Sequence, residues 1–294
     1  MTATARTTVR TPDGRSLDVW LEGPADAVPL VFHLGTPGCR LPFEPNVRAV
    51  IDRGLRWVSY SRPGYGGSTR DPGRSVANAA ADTAAVLDAI GADAAYVAGW
   101  SGGGPHALAC AALMPDRVLG TATIAGVAPY PAEGLDWLAG MGAENVEEFQ
   151  RAIDSPESLA EFAERDWPTF RDVTPEAVAT SFGDLVDDVD RATASGPFAV
   201  YLAALFHEGL RDTYLGWLDD DLAFVKPWGF DLAALPGPVH VWQGAHDRMV
   251  PFAHGQWLAA NVGGGCAHLH AEQGHLSLIV GAFPAIVDSL IRGT

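Results

Sequence analysis

The sequence predicts an α/β fold: a mostly parallel sheet with helices on both faces, interrupted by an inserted helical cap. Three observations carry this. Short apolar runs alternate with helical patterns between residues 29 and 124. The rhythm stops over residues 130–235, which hold helical patterns and no convincing strand. It resumes at Val239-His240-Val241-Trp242 and runs on to the last helical segment. Parallel strands need crossover connections, and helical crossovers cover both faces of the sheet. The expected division is a core domain from residues 1–128 and 236–294, with a cap over 129–235.

Each element has its own signal. Thr7-Thr8-Val9-Arg10 and Leu17-Asp18-Val19-Trp20-Leu21 flank the turn residues Thr11-Pro12-Asp13-Gly14 and read as a hairpin. Leu30-Val31-Phe32-His33 is a short apolar strand, followed by a loop rich in Gly and Pro and a helix near residues 44–53. Arg56-Trp57-Val58-Ser59-Tyr60 is the next strand. Residues 75–90 are Ala-rich and helical, with Val76, Ala80, Val86, Leu87 and Ile90 as core contacts. Ala94-Ala95-Tyr96-Val97-Ala98 then leads into Gly99-Trp100-Ser101-Gly102-Gly103, and a run of helix formers from His106 to Met114 follows. Val118 to Ile124 makes a further strand. The cap is rich in aromatic residues, most of which read as its own core, with some left over to face the sheet. After the strand at Val239, a helix is expected over about 252–262, a strand near Ala267-His268-Leu269-His270, and one final helix over about 276–291.

Composition bounds the rest. A chain of 294 residues, 48 % hydrophobic, is long enough for one large core with an inserted smaller domain. The formal net charge is −17, with one lysine, Lys226, so a phosphate backbone would be repelled and nucleic-acid binding is not expected. Cys39, Cys110 and Cys266 are widely spaced and odd in number, which suggests neither a disulfide framework nor a zinc site. The first residues lack the apolar stretch of a signal peptide, and no segment approaches the length of a membrane span. A soluble cytoplasmic protein without membrane insertion is expected. A homodimer is compatible with the sequence, which does not fix the oligomeric state.

The chemistry centres on Ser101. Strand, sharp turn and helix would hold its hydroxyl out at the carboxyl end of the strand. A serine hydroxyl needs a base to take its proton and an acid to orient that base. His275 follows a strand and Gly274 at the start of a helix, and is the expected base. Asp247 also follows a strand in a Gly-containing loop, and is the expected orienting acid; Asp231 is the weaker alternative. Both loops fall at the strand carboxyl ends, the edge that presents Ser101. An oxyanion hole is expected from the backbone N–H groups of Thr36, in His33-Leu34-Gly35-Thr36-Pro37-Gly38, and of Gly102. Trp100, Trp137 and Leu276 are expected to touch the substrate.

Four motifs in order, at 33–38, at 61–68 (Ser-Arg-Pro-Gly-Tyr-Gly-Gly-Ser), at 99–103 and in the Asp247 and His275 loops, resemble the α/β-hydrolase superfamily. Leu34 interrupts the usual His-Gly-x-Pro, and Ser61 stands where Asp is more often found. The resemblance implies an eight-stranded, mostly parallel sheet with an inserted cap. It implies a cofactor-independent serine hydrolase acting on an ester, lactone or similar acyl bond of a small apolar molecule. Haloalkane dehalogenases and epoxide hydrolases of this fold carry aspartate at the Ser101 position, so an acyl-enzyme is implied here. Alternatives are a C–C bond hydrolase, a proline-type aminopeptidase in which Glu208 and Asp212 would hold the amine, or a non-catalytic small-molecule receptor.

The remaining histidines read as structural. His33 is expected to brace the oxyanion loop, and His106 to pack on its helix. His246 is expected to point away from the site. His207 and His254 have no evident partner. His268 and His270 alternate on one strand face without the further ligands a metal needs. No Gly-rich phosphate loop with a lysine is present, so neither a metal nor a cofactor is expected.

Overall fold

The computed structural model describes residues 3–293. Eight strands form one sheet: β1 (Ala3–Arg10), β2 (Ser16–Gly23), β3 (Pro29–His33), β4 (Arg56–Tyr60), β5 (Ala95–Trp100), β6 (Val118–Ile124), β7 (Val239–Gly244) and β8 (Gly265–His270). Their order is β1-β2-β4-β3-β5-β6-β7-β8. The pairings β1–β2 and β2–β4 are antiparallel and the others parallel. β2 alternates half-buried and buried residues, as a strand near the sheet edge does, whereas β3 and β7 are buried throughout.

The helices are α1 (Glu44–Ile51), α2 (Asn78–Ala89), α3 (Gly103–Leu113), α4 (Ala143–Asp154), α5 (Pro156–Arg171), α6 (Val178–Ser181), α7 (Asp188–Thr193), α8 (Gly196–Gly209), α9 (Leu215–Phe224), α10 (Phe252–Asn261), α11 (His275–Gly281) and α12 (Phe283–Arg292). Alternate residues of the central strands face two cores. Leu30, Phe32 and Trp57 pack with α1 and α12, and Phe32, Trp57 and Phe283 form an aromatic cluster with centroids 5.0–6.1 Å apart. Val31, Val58 and Val97 face the other side, towards α2 and α3.

Helices α4 to α9 lie between β6 and β7, with no strand among them, as a helical insert. The single helix expected over 276–291 is instead two, α11 and α12, bent by 65° at Ala282. Pro284 explains the break. It sits in the first turn of α12, where its missing N–H is not needed, but would interrupt a continuous helix. No single helix among the described residues is long and apolar enough to cross a membrane.

Candidate active site

β5 ends at Trp100 and α3 begins at Gly103, so Ser101 occupies the turn between them. Its φ is +55°, a left-handed conformation that costs an L-residue about 1–2 kcal/mol. The turn is held by Ser101 N–H donating to Ile124 O at 2.8 Å. Thr36 lies directly over it: a Cβ on Gly102 would overlap Thr36 Oγ1, and a Cβ on Gly35 would sit 3.3 Å from Ser101 Cβ. Gly102 immediately precedes the first turn of α3, where backbone N–H groups lack intrahelical acceptors. Ser101, Gly102 and Thr36 thus meet at one point.

His275 begins α11, and its Nδ1–H donates to Asp247 Oδ2 at 2.8 Å, both side chains being buried. That bond commits Nδ1 and leaves Nε2 as the free ring nitrogen. Asp247 also accepts from Gln243 Nε2 at 2.9 Å and from the N–H groups of Met249 and Val250 at 2.9 and 2.7 Å. Burial alone would push the imidazole pKa down. The Asp247 charge and hydrogen bond, with a further contribution from Asp190, outweigh it and raise the pKa above 6.5.

Two carboxylates of the helical insert hold the loops that carry these groups. Asp190, on α7, accepts from the backbone N–H groups of His275, Leu276 and Ser277 at 2.6, 3.0 and 2.8 Å. These are the unpaired donors at the start of α11, where a negative charge is stabilised. Asp220, on α9, accepts from Thr36 Oγ1 at 2.9 Å, from Arg62 Nη2 at 2.6 Å, from Arg74 Nη1 at 2.6 Å and from Tyr65 OH at 2.9 Å. Arg62 in turn donates to Leu34 O and to Gly35 O. The flanking guanidiniums hold the Asp220 carboxyl far below its ordinary range despite full burial. α9 comes close enough for this because Gly216 meets Gly64 backbone to backbone, where a Cβ on Gly216 would lie 2.7 Å from the Gly64 carbonyl carbon.

Between the sheet edge and the insert lies a cavity of about 90 Å³, lined by Ser101, Thr36, Gly102 and His275. That is room for a few waters, or a small ligand group. Trp100 and Leu276 line it, and so do Phe149, Phe182 and Phe206 from the insert.

A family model described as "alpha/beta hydrolase fold" matches residues 28–281. The chain belongs to this family. Its segment similar to a non-heme chloroperoxidase of Streptomyces lividans is 30 % identical over 148 residues, 50 % of this chain and 54 % of that one. The match therefore spans about half the length of that curated relative. Two solved structures are similar over nearly the whole length. Epoxide hydrolase A from Mycobacterium thermoresistibile superposes with a TM-score of 0.73 at 22 % identity, covering 99 % of both chains. The enol-lactonase from Burkholderia xenovorans LB400 superposes with a TM-score of 0.68 at 19 % identity, covering 97 % of this chain and 100 % of that one.

Several expected residues of this α/β hydrolase lie elsewhere. Trp137 does not line the cavity: its Nε1 donates to Ala128 O at 2.8 Å, and its ring packs edge-on against Phe149, one layer behind the wall. Glu208 is paired with Arg40 and Asp212 with Arg211, so neither reaches the cavity. The loop expected to carry the oxyanion donor is braced by Arg62, not by His33, whose Nε2 lies 3.6 Å from Cys110 Sγ. His106 Nδ1–H donates to Gly102 O at 2.8 Å, and burial pushes its pKa down to about 3. His246 faces Asp187 of the insert at 2.6 Å, and His254 bridges Ala128 N–H and Trp137 O. His268 stacks on Trp242 with ring centroids 4.1 Å apart. Asp231 caps the short turn at Leu232–Ala234. Among the described residues no group of His, Cys, Asp and Glu is arranged to hold a metal ion.

Proposed function

We propose that this chain is a cofactor-independent serine hydrolase acting on an ester, lactone or similar acyl bond of a small, largely apolar molecule. One observation carries the reading: Ser101, held at positive φ, shares a cavity with a histidine whose Nδ1 is committed to a buried aspartate. Ser101 Oγ attacks the carbonyl while His275 Nε2 takes its proton and passes it to the leaving group. Asp247 holds the ring and stabilises its cation. The N–H groups of Thr36 and Gly102 receive the oxyanion, each donor contributing about 10²–10³ in rate. Water, activated by His275, then releases the acid. The phenylalanines of the insert keep bulk water out and set the size of the acyl group. An oxygen nucleophile without a carboxylate at this position supports an acyl-enzyme over the aspartyl ester chemistry of related enzymes.

A fluorophosphonate probe tests this directly. It should label Ser101 in the folded protein, and p-nitrophenyl esters of increasing acyl length should be turned over with a preference for short chains. Turnover should vanish in Ser101→Ala. A folded protein that neither reacts with the probe nor cleaves any ester of the series would sink the reading.

A further inference from the structure

One wall of the cavity departs from its apolar character. Glu148, on α4, and Asp221, on α9, both line it beside the phenylalanines and Ser101. Both are buried, and their carboxyl groups are near enough to influence each other's titration. Glu148 Oε1 accepts from Trp217 Nε1 at 2.5 Å. Asp221 Oδ2 is buried with no N–H or hydroxyl to satisfy it. No arginine serves the pair. Arg62 and the two terminal nitrogens of Arg74 donate to Asp220 and to the carbonyls of Leu34, Gly35, Pro63 and Gly216, and the remaining Arg74 Nε–H makes no hydrogen bond to either carboxyl group.

We propose that Glu148 and Asp221 form a subsite for a primary or secondary ammonium group of the substrate, in the same cavity as the reacting carbonyl. This rests on the hydrolase reading for the use of the cavity. The argument is one of charge and donors. Two neighbouring buried carboxylates that lack a counter-charge of their own do not both ionise readily, so the pair retains one proton. The surroundings favour that state. Burial raises both groups, and Asp166 on α5 and Asp220 on α9 add to the effect; the Trp217 hydrogen bond to Glu148 and the Arg74 charge near Asp221 oppose it without reversing it. Glu144, on the same helix as Glu148, is itself pushed up to about 7 by burial and by Glu148. With one shared proton the pair carries one negative charge, which offsets the surplus positive charge of Arg62 and Arg74 over Asp220. An ammonium entering the site gives Asp221 Oδ2 the donor it lacks and takes over the role of the shared proton. That proton leaves to solvent, and the net charge of the cluster is conserved. A neutral alcohol supplies a single donor and displaces nothing.

Calorimetry on the Ser101→Ala protein tests the subsite without requiring turnover. n-Butylammonium should bind about tenfold to a hundredfold more tightly than butan-1-ol, the range a charge-assisted hydrogen bond supplies. Its binding should release a proton, read from buffers of different ionisation enthalpy, and should therefore tighten as pH rises until the free pair has lost its proton. The preference should be lost in Asp221→Asn and in Glu148→Gln. If the alcohol binds as tightly as the ammonium, or if no proton is released, the proposal is overturned. A preference that survives in a folded Glu148→Gln protein overturns it as well. Should Asp221→Asn not fold, Glu148→Gln and the proton count still decide. Failure of the hydrolase reading would show separately, as wild-type protein that the fluorophosphonate leaves unlabelled.

Discussion

Ser101 carries backbone strain that only its turn requires. Replacing it with glycine relieves about 1–2 kcal/mol of left-handed strain, against about 0.4–1 kcal/mol lost to the greater freedom of the unfolded chain. Ser101→Gly should therefore be inactive yet at least as stable as Ser101→Ala, and more stable by up to about 1.6 kcal/mol in urea unfolding. In the proposed mechanism, His275 sets the acid limb of activity. It acts there as the neutral base, and Asp247 holds its pKa above 6.5. kcat/KM should thus be full at alkaline pH and fall as pH drops, with a midpoint above 6.5. An acid limb centred below that value would mean that Asp247 does not act on His275 as its hydrogen bond indicates.

At the scale of elements, the insert does more than roof the cavity. Asp190 satisfies three buried N–H groups at the start of α11. In Asp190→Asn one carboxylate oxygen becomes an amide that opposes an N–H with another N–H. Stability should fall by about 1–3 kcal/mol, and kcat should fall with it as the His275 loop loosens. Asp220→Asn leaves Arg62 and Arg74 buried without their counter-charge, so a larger loss of about 3–5 kcal/mol is expected, measured by thermal or urea unfolding. If either variant unfolds and turns over like the wild type, the insert does not hold these loops.

The sequence made part of this legible. Ser101, Gly102 and Thr36 lie in local patterns of strand, turn and glycine whose geometry follows from a few consecutive residues. Asp247 and His275 could be placed because each follows a strand of a parallel sheet, which puts both loops on one edge. The acids of the insert were hidden, because a chain with 36 acidic residues gives no local sign of which ones are buried. One signal was present. Asp219, Asp220 and Asp221 lie between Trp217-Leu218 and Leu222-Ala223-Phe224, and three successive helical residues span about 200°. On a helix apolar on either side of them, they cannot all reach water. All three are buried, with Asp219 paired to Arg70. Trp137 shows the opposite error, since an aromatic residue near the site packs behind the wall more readily than in it.

For the whole molecule, the formal charge of −17 is a long-range term that works against the compact state. The pairs formed by Asp220 are buried and little screened, whereas most other acids lie near the surface. Raising salt from about 10 mM to about 150 mM should therefore increase Tm by a few degrees. A fall in Tm would show that surface ion pairs outweigh the repulsion.

The grip of Asp190 and Asp220 also bears on how such enzymes can be re-engineered. Lids on a shared sheet invite exchange, as though specificity could be swapped like a tool head. Here the lid brings the fasteners for two of the working loops. A chimaera that took a foreign lid without both acids would keep Ser101, His275 and Asp247 in its sequence, yet present them on loose mounts. Transplanting specificity onto this scaffold means transplanting those two residues with it, or rebuilding their anchorage from the sheet side.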